Sequence, residues 1–384
     1  MERLFETIDA LYEEYLEVWE AVCNIESPTR HKEGVDAVGR FFADRARARG
    51  WQVEVFPQPV AGDVVCITLN PDAKAAPLAL SGHMDTVHPL GSFGTPAVHR
   101  EGGNIYGPGV DDCKGGIVAA FLAMDALDRC GFTARPVQLL LQSDEEFNLS
   151  NKTTIATICE KAKDAVAFLN LEGHVAGTAC VIRKGIATFT FTVTGQEAHA
   201  SACAEAGANA ILEAAHKIIQ LETWKDPDGL TCNCGVICGG TAVNTVPGQC
   251  EFKANVRFAT QEQLEWARAE AKRIADEVHV PGCTCVVEQT GGRLAMEDRA
   301  RNWELLAKMN AIFEGCGLPV LTGCKRKGGS DAADVTAYGI PCVDSIGVEG
   351  GAIHSPKEYA VMKSLKESAK RLAAVAAHID RQLL

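Results

Sequence analysis

Short apolar runs alternate with helical patterns through the first half of the chain. VVCITLN, PLALSGHMDT, VQLLLQSDEE and AVAFLNLEG each begin apolar and end polar. Between the second and third lies a helical stretch from Lys114 through Arg129 that Gly131 stops. Strand, helix, strand in this order predicts an α/β domain whose sheet is flanked by helices. Ahead of it, Leu4, Ile8, Leu11, Tyr15, Val18 and Val22 recur at helical spacing among acidic residues, which predicts an opening amphipathic helix.

From about Ile186 the pattern changes to alternating strands, with ATFTFTVTG, a helix from Asn209 to Leu221, CGVICGG and CEFKANVRF, and a second helix from Gln261 to Val278. That order reads as a β-α-β-β-α-β unit. The earlier style returns after Met296, with an amphipathic helix from Asn302 to Glu314, the apolar run PCVDSIGV and a closing helix from Lys363. The expected organisation is therefore one catalytic α/β domain built from residues 1–185 and 296–384, with residues 186–295 inserted.

Composition supports this reading. The chain has 384 residues, against about 100 to 200 for one ordinary core. Its 47% hydrophobic and 23% charged content is that of a folded protein. The net charge of −13 argues against nucleic acid, which is bound by neutralising phosphates with Lys and Arg. The opening helix has neither the basic nor the apolar region of an export signal, and no uncharged apolar run is long enough for a membrane span, so a cytoplasmic location is expected. Sixteen cysteines spread over so long a chain read as reduced, mostly buried thiols. The cluster Cys232, Cys234, Cys238 and Cys250 lacks the paired spacing of a structural zinc site, and no C-x-x-C redox motif occurs.

The chemistry-bearing residues collect at the carboxyl ends of the predicted strands, where ligands gather in open α/β sheets. In SGHMDT, His83 and Asp85 leave the same face of a strand, and a carboxylate beside a histidine is the usual way to orient a metal-bound imidazole. A surface pair is the plain alternative. YGPGVDDCKGG turns sharply to present Asp111 or Asp112 ahead of a helix, where an ordinary Asp cap would serve equally. QSDEEFN sets three acids together, which a metal would balance and a solvated turn would tolerate. Glu172 ends another strand, and His354 follows a glycine pair in AIHSPKEY. Two histidines and several carboxylates on one sheet edge are the nitrogen and oxygen donors that zinc takes, and two ions with a bridging carboxylate would use a set of this size.

SGHMDT, YGPGVDDCKGG, DEE, Glu172, GQEAHAS, NTVPG, GGSDAAD and HSPKEY, in that order, resemble the peptidase M20 family and within it the bacterial glutamate carboxypeptidases. The resemblance covers about residue 78 to the C-terminus. It implies a zinc-peptidase-like mixed sheet with an inserted ferredoxin-like α+β lid and dimerisation domain. It further implies two Zn²⁺, replaceable by Co²⁺ or Mn²⁺, held by His83, Asp112, Glu146, Glu172 and His354. Asp112 would bridge, because the family's bridging Asp stands two residues before the Lys-Gly, here Lys114-Gly115. Asp85 would orient His83, and Glu145 would be the general base. A cis peptide is implied between Asp112 and Cys113, with the Cys113 side chain facing away from the metals.

In the inserted domain, His199 resembles a histidine that reaches across a homodimer to stabilise the oxyanion, and Asn244 a substrate-contacting residue; a capped turn and a turn residue are their plain readings. Carboxylate capture falls to Arg257 and Arg293, since a guanidinium fork grips a carboxylate in two parallel bonds. The function implied is a di-zinc metallocarboxypeptidase that hydrolyses an amide bond to release a C-terminal amino acid, Glu or similar, from a small peptide or N-acyl amino acid. A deacylase or dipeptidase would share the same ligands. A non-catalytic binding member would lack the base or a ligand, and all are present here.

Overall fold

In the computed structural model, which describes residues 1–380, the apolar runs become neighbours in one six-stranded sheet. Its spatial order is Gln52–Phe56, Val64–Leu69, Val137–Gln142, Leu78–His83, Ala167–Asn170 and Cys342–Val343. Val64–Leu69 runs antiparallel to both of its neighbours, and the last four strands run parallel. Every residue of Val64–Leu69 and Leu78–His83 is buried, as expected of strands covered on both faces. The result is the mixed, helix-flanked α/β architecture that the sequence predicts.

By its packing the chain divides into two units. The first comprises Met1–Val181, Asp298–Lys325 and the residues from Asp334 onward, and the second Ile182–Glu297 with Arg326–Ala333. The segment Arg326–Ala333, which the sequence pattern left with residues 296–384, groups with the second unit.

Within the first unit the helix Lys114–Arg129 is buried along almost its whole length and packs against Glu2–Cys23 and Met362–His378. One buried carboxylate ties two helices and the residue that follows a third, Lys32–Ala48: Asp125 accepts from the Tyr15 hydroxyl at 2.7 Å, from Arg49 at 2.8 Å and from Arg129 at 2.9 Å. Those donors hold the Asp125 carboxyl below the usual range although burial pushes the other way. A second, four-stranded antiparallel sheet lies in the order Gly350–Gly351, Tyr359–Val361, Asn104–Tyr106 and His99–Glu101. It pins the chain around His354 to the chain that leads into Asp112.

The second unit has a four-stranded antiparallel sheet in the order Thr231–Gly239, Gln249–Phe258, Gly185–Thr194 and Thr284–Arg293, with helices Ala210–Leu221 and Gln261–Asp276. Along Gly185–Thr194 burial alternates, so Ala187, Phe189, Phe191 and Val193 face the helices, and Phe191 stacks on Phe252 with centroids 4.6 Å apart. Asn209 caps the first helix and Thr260 the second, each accepting from a backbone N–H three residues on. Buried Lys217 pairs with Glu213 at 2.8 Å and donates to the carbonyls of Ile274, Ala275 and Glu277, which satisfies the end of the second helix.

The chain contains free thiols, of which Cys203 and Cys238 are exposed. Asp125→Ala is expected to lower stability by about 2 to 3 kcal/mol, because three donors lose a charged acceptor while half-exposed Arg129 regains water. Urea unfolding followed by circular dichroism measures this, and a loss below about 1 kcal/mol would contradict the role given to Asp125.

Candidate metal centre

The site is built where parallel strands end together. Leu78–His83 lies between Val137–Gln142 and Ala167–Asn170, with His83 opposite Gln142 and Ser81 opposite Asn170. His83 therefore emerges at the same level as Glu145 and Glu146, which follow the second strand, and Glu172, which follows the third. Asp112 arrives from the turn ahead of the helix Lys114–Arg129, and His354 from the loop after Gly350–Gly351.

Five of these six side chains meet at close range. His83 Nε2 is 2.9 Å from Asp112 Oδ1 and 3.7 Å from Glu172 Oε1, while His354 Nε2 is 3.1 Å from Asp112 Oδ2 and 3.3 Å from Glu146 Oε2. Asp112 thus turns one oxygen towards His83 and the other towards His354. His354, with φ +58°, occupies the left-handed region that non-glycine residues seldom adopt. Asp111 is also buried, but its carboxylate packs against Gly173 and Gly350, where any Cβ would collide with it. The peptide between Asp112 and Cys113 is cis.

Asp85 does more than the sequence reading assigned to it. Its Oδ1 lies 3.4 Å from His83 Nδ1, and its two oxygens accept from the backbone N–H groups of Glu145 and Glu146, each at 3.1 Å. Thr29 donates a further bond at 2.7 Å. The nearer partner of the His83 ring is the Asp85 backbone carbonyl, 3.0 Å from Nδ1, so Asp85 meets the ring mainly through its main chain while its buried carboxylate sets the backbone of the two glutamates. The segment that carries Thr29 is itself fastened, since Ser27 Oγ donates to the Met84 carbonyl and the Thr29 N–H to that of Thr86.

Cys113 departs from expectation. Its Sγ accepts from the His83 N–H at 3.3 Å and lies, with a His83 ring nitrogen and a Glu172 oxygen, in a group whose donor atoms are all within 4.8 Å of one another. The thiol faces the site because there is no Cβ at Gly82, where one would come within 3.0 Å of the sulfur. Burial pushes this thiol well above its ordinary pKa, so it stands there as a neutral group.

The charges around Asp112 are strained towards a cation. Burial, reinforced by Asp112 and Glu145, raises the Glu146 carboxyl to about 7. Burial and Asp112 push Glu172 well above the usual carboxylate range. Hydrogen bonds to Asp112 and Glu146 lift His354 to about 10. Two imidazoles and two carboxylates around a shared aspartate match the donor preferences of zinc, and the protons these groups hold are those a dication would displace. Among the described residues, Asp112, Glu146 and His354 form one three-donor group, and His83, Glu145 and Glu146 another.

The remaining sequence candidates lie in the second unit. His199 is exposed and pairs with Thr245 across a two-stranded ladder, and the Asn244 carbonyl accepts from the Ala200 N–H at 2.9 Å, so these two are brought together. Nδ1 of His199 lies 3.3 Å from the Ser201 N–H and 2.8 Å from its hydroxyl. Accepting from the N–H leaves the proton of the neutral ring on Nε2. Arg257 and Arg293 stand opposite Ile186 on either side of the central strand. Arg257 donates to the Lys327 carbonyl at 3.3 Å, and Arg293 lies 3.9 Å from Asp331, so both reach the segment Arg326–Ala333. The sequence reading missed Thr29, Glu358 and His88. Their contacts are long-range and leave no local pattern.

Comparison with known proteins adds independent findings. Residues 64–220 match the model of peptidase family M28, and residues 181–283 that of the M20-type peptidase dimerisation domain. Carboxypeptidase G2 of Pseudomonas sp. (strain RS-16) is 29% identical over 347 residues, covering 88% of this chain and 83% of that protein. Succinyl-diaminopimelate desuccinylase of Gluconacetobacter diazotrophicus is 28% identical over 311 residues, 75% of this chain and 77% of that protein. Among solved structures, aminopeptidase PepT from Bacillus cereus superposes with a TM-score of 0.80 at 21% identity, covering 96% of this chain and 99% of that one, a likeness of fold.

Metal uptake at about pH 6.5 is expected to release protons, since Glu146 and His354 hold theirs at that pH in the metal-free protein, and affinity should climb as the pH rises through about 7. Calorimetric titration with Zn²⁺ in buffers of different ionisation heat measures the release, and uptake without it would contradict this electrostatic picture.

Proposed function

The chain belongs to the peptidase M20 family, hydrolases of peptide and amide bonds, and from that premise we propose a two-zinc metallocarboxypeptidase that releases a C-terminal amino acid, Glu or a similar acid, from a small peptide or N-acyl amino acid. The observation that carries the proposal is the placement of Asp112, one carboxylate oxygen towards His83, which Glu172 also approaches, and the other towards His354, which Glu146 also approaches. His83, Asp112 and Glu172 would hold one ion, and Asp112, Glu146 and His354 the other. Bound there, the two ions would supply Lewis acidity and acidify a water.

The chain's own groups then have distinct tasks. Glu145, whose backbone Asp85 holds, takes the proton of the attacking water and delivers it to the departing amine. The developing oxyanion needs a donor, and the neutral imidazole of His199, with its proton on Nε2, is one. In a homodimer that donor would be His199 of the partner subunit. Asn244 contacts the substrate, and Arg257 and Arg293 grip its free carboxylate.

A homodimer formed through the second unit is supported by its surface. Ile211, Leu212 and Ile219 on one helix, and Val236, Ile237 and Val243 along and after the edge strand Thr231–Gly239, are exposed together with that strand's outer backbone. An apolar face beside an open sheet edge calls for a partner. No helix among the described residues is long and apolar enough to cross a membrane; action in the cytoplasm is part of the proposal.

The similarity to a desuccinylase favours a second reading, an N-acyl amino acid deacylase on the same ligands. A panel of acyl-glutamates, N-acetyl and N-succinyl amino acids and dipeptides separates the two. Metal-dependent release of glutamate from acyl-glutamates supports the carboxypeptidase, and turnover of the acetyl or succinyl substrates alone moves the assignment to the deacylase. Glu145→Gln is expected to lower kcat by about 10²- to 10⁴-fold while metal analysis still finds two ions per chain. Wild-type kcat in that variant would remove Glu145 from its role.

A further inference from the structure

Outside the groups assigned above, one buried carboxylate reaches the metal turn. Glu358 is 1% exposed, four residues beyond His354. Its Oε1 accepts from the backbone N–H groups of Asp111 and Asp112 at 3.0 and 3.1 Å, and its Oε2 lies 2.7 Å from Nε2 of His88. A carboxylate of this kind only accepts, so His88 Nε2 carries the proton. His88 is also buried, and its ring is met edge-on by Phe93 with centroids 4.8 Å apart.

We propose that Glu358, braced by His88, is a positioning residue for the bridging aspartate, holding the backbone of Asp112 so that its two oxygens face two different metal ions.

The geometry makes the constraint specific. Two consecutive N–H groups bonded to one oxygen fix the orientation of successive peptide planes, and with them the direction in which Asp112 leaves the chain. Those N–H groups lie in the turn ahead of the helix Lys114–Arg129, beyond the reach of either sheet's ladder. The strand Tyr359–Val361, which follows Glu358 directly, pairs with Asn104–Tyr106, and the Gly107 N–H donates to the Glu358 carbonyl. One short segment therefore carries His354 at its start and the grip on Asp112 at its end, so the spacing between these two groups is set by covalent structure. Asp85 makes the same kind of grip on Glu145 and Glu146, and the two carboxylates between them orient three of the four acids at the site. Residues that orient metal ligands in this manner commonly alter affinity about 10- to 100-fold when removed.

The inference rests on the two-zinc reading, and the test separates their failures. The full chain, stripped with a chelator, is titrated with Co²⁺ alone against an indicator, and the visible spectrum of the loaded protein is recorded for wild type, Glu358→Ala, Glu358→Gln and His88→Phe. Wild type should take up two ions. Glu358→Ala should bind about 10- to 100-fold more weakly with an altered cobalt spectrum. Glu358→Gln, which keeps one accepting oxygen, should recover most of that loss, and His88→Phe should fall between. Thermal melting of the metal-free proteins reports any purely structural cost. A folded Glu358→Ala with wild-type affinity and spectrum, whatever its melting temperature, overturns the inference. If that variant does not fold, wild-type affinity in His88→Phe overturns it instead. Failure of wild type to bind metal would remove the two-zinc reading and this inference with it.

Discussion

Negative charge packed into a few ångströms at the end of a parallel sheet is the constraint on which the first unit depends. Asp112, Glu145, Glu146 and Glu172 approach one another in a region nearly closed to water, where like charges repel strongly. Without a cation the crowding is relieved by protons: Glu146 and Glu172 are pushed up by burial and by their neighbours, and His354 is held protonated by Asp112 and Glu146. The arrangement costs least when a multivalent cation replaces those protons.

Such a cluster persists only if the backbone beneath it is held. Asp85 grips two N–H groups behind Glu145 and Glu146, and Glu358 two behind Asp111 and Asp112. In each case a buried carboxylate satisfies N–H groups that the strands and helices leave unpaired, and fixes the direction of the acids above them. The surrounding packing serves the same end: Ser27 and Thr29 brace the loop of Asp85, and the small antiparallel sheet braces the loop of Glu358.

The second unit follows a different logic. Its sheet buries one face beneath two helices, and the Lys217–Glu213 pair ties those helices together without a metal. Six of its exposed apolar residues lie on the helix Ala210–Leu221 and along or just after the edge strand, and Arg257 and Arg293 flank the central strand at a shared register level. An antiparallel sheet with one packed face leaves the other for recognition, a division unavailable to the doubly covered sheet of the first unit.

Much of the fold was legible in the chain because buried parallel strands must read as unbroken apolar runs, and LALSGH, VQLLLQ and AFLN do so. Since the functional residues stand at the ends of those runs, the gathering of His83, Glu145, Glu146 and Glu172 on one edge followed from local pattern and parallel topology alone. The helix Lys114–Arg129 carried its own boundaries in the same way. Tertiary structure decided what no local pattern encodes: that Cys113 faces the site across from Gly82, that Asp85 holds the glutamate backbone, and that Glu358 reaches Asp112 from well over two hundred residues away in sequence. It also placed Arg326–Ala333 with the second unit. The physical reason is common to these cases. Periodicity reports which face of an element is buried, whereas a hydrogen bond between distant segments depends on where the whole chain brings them.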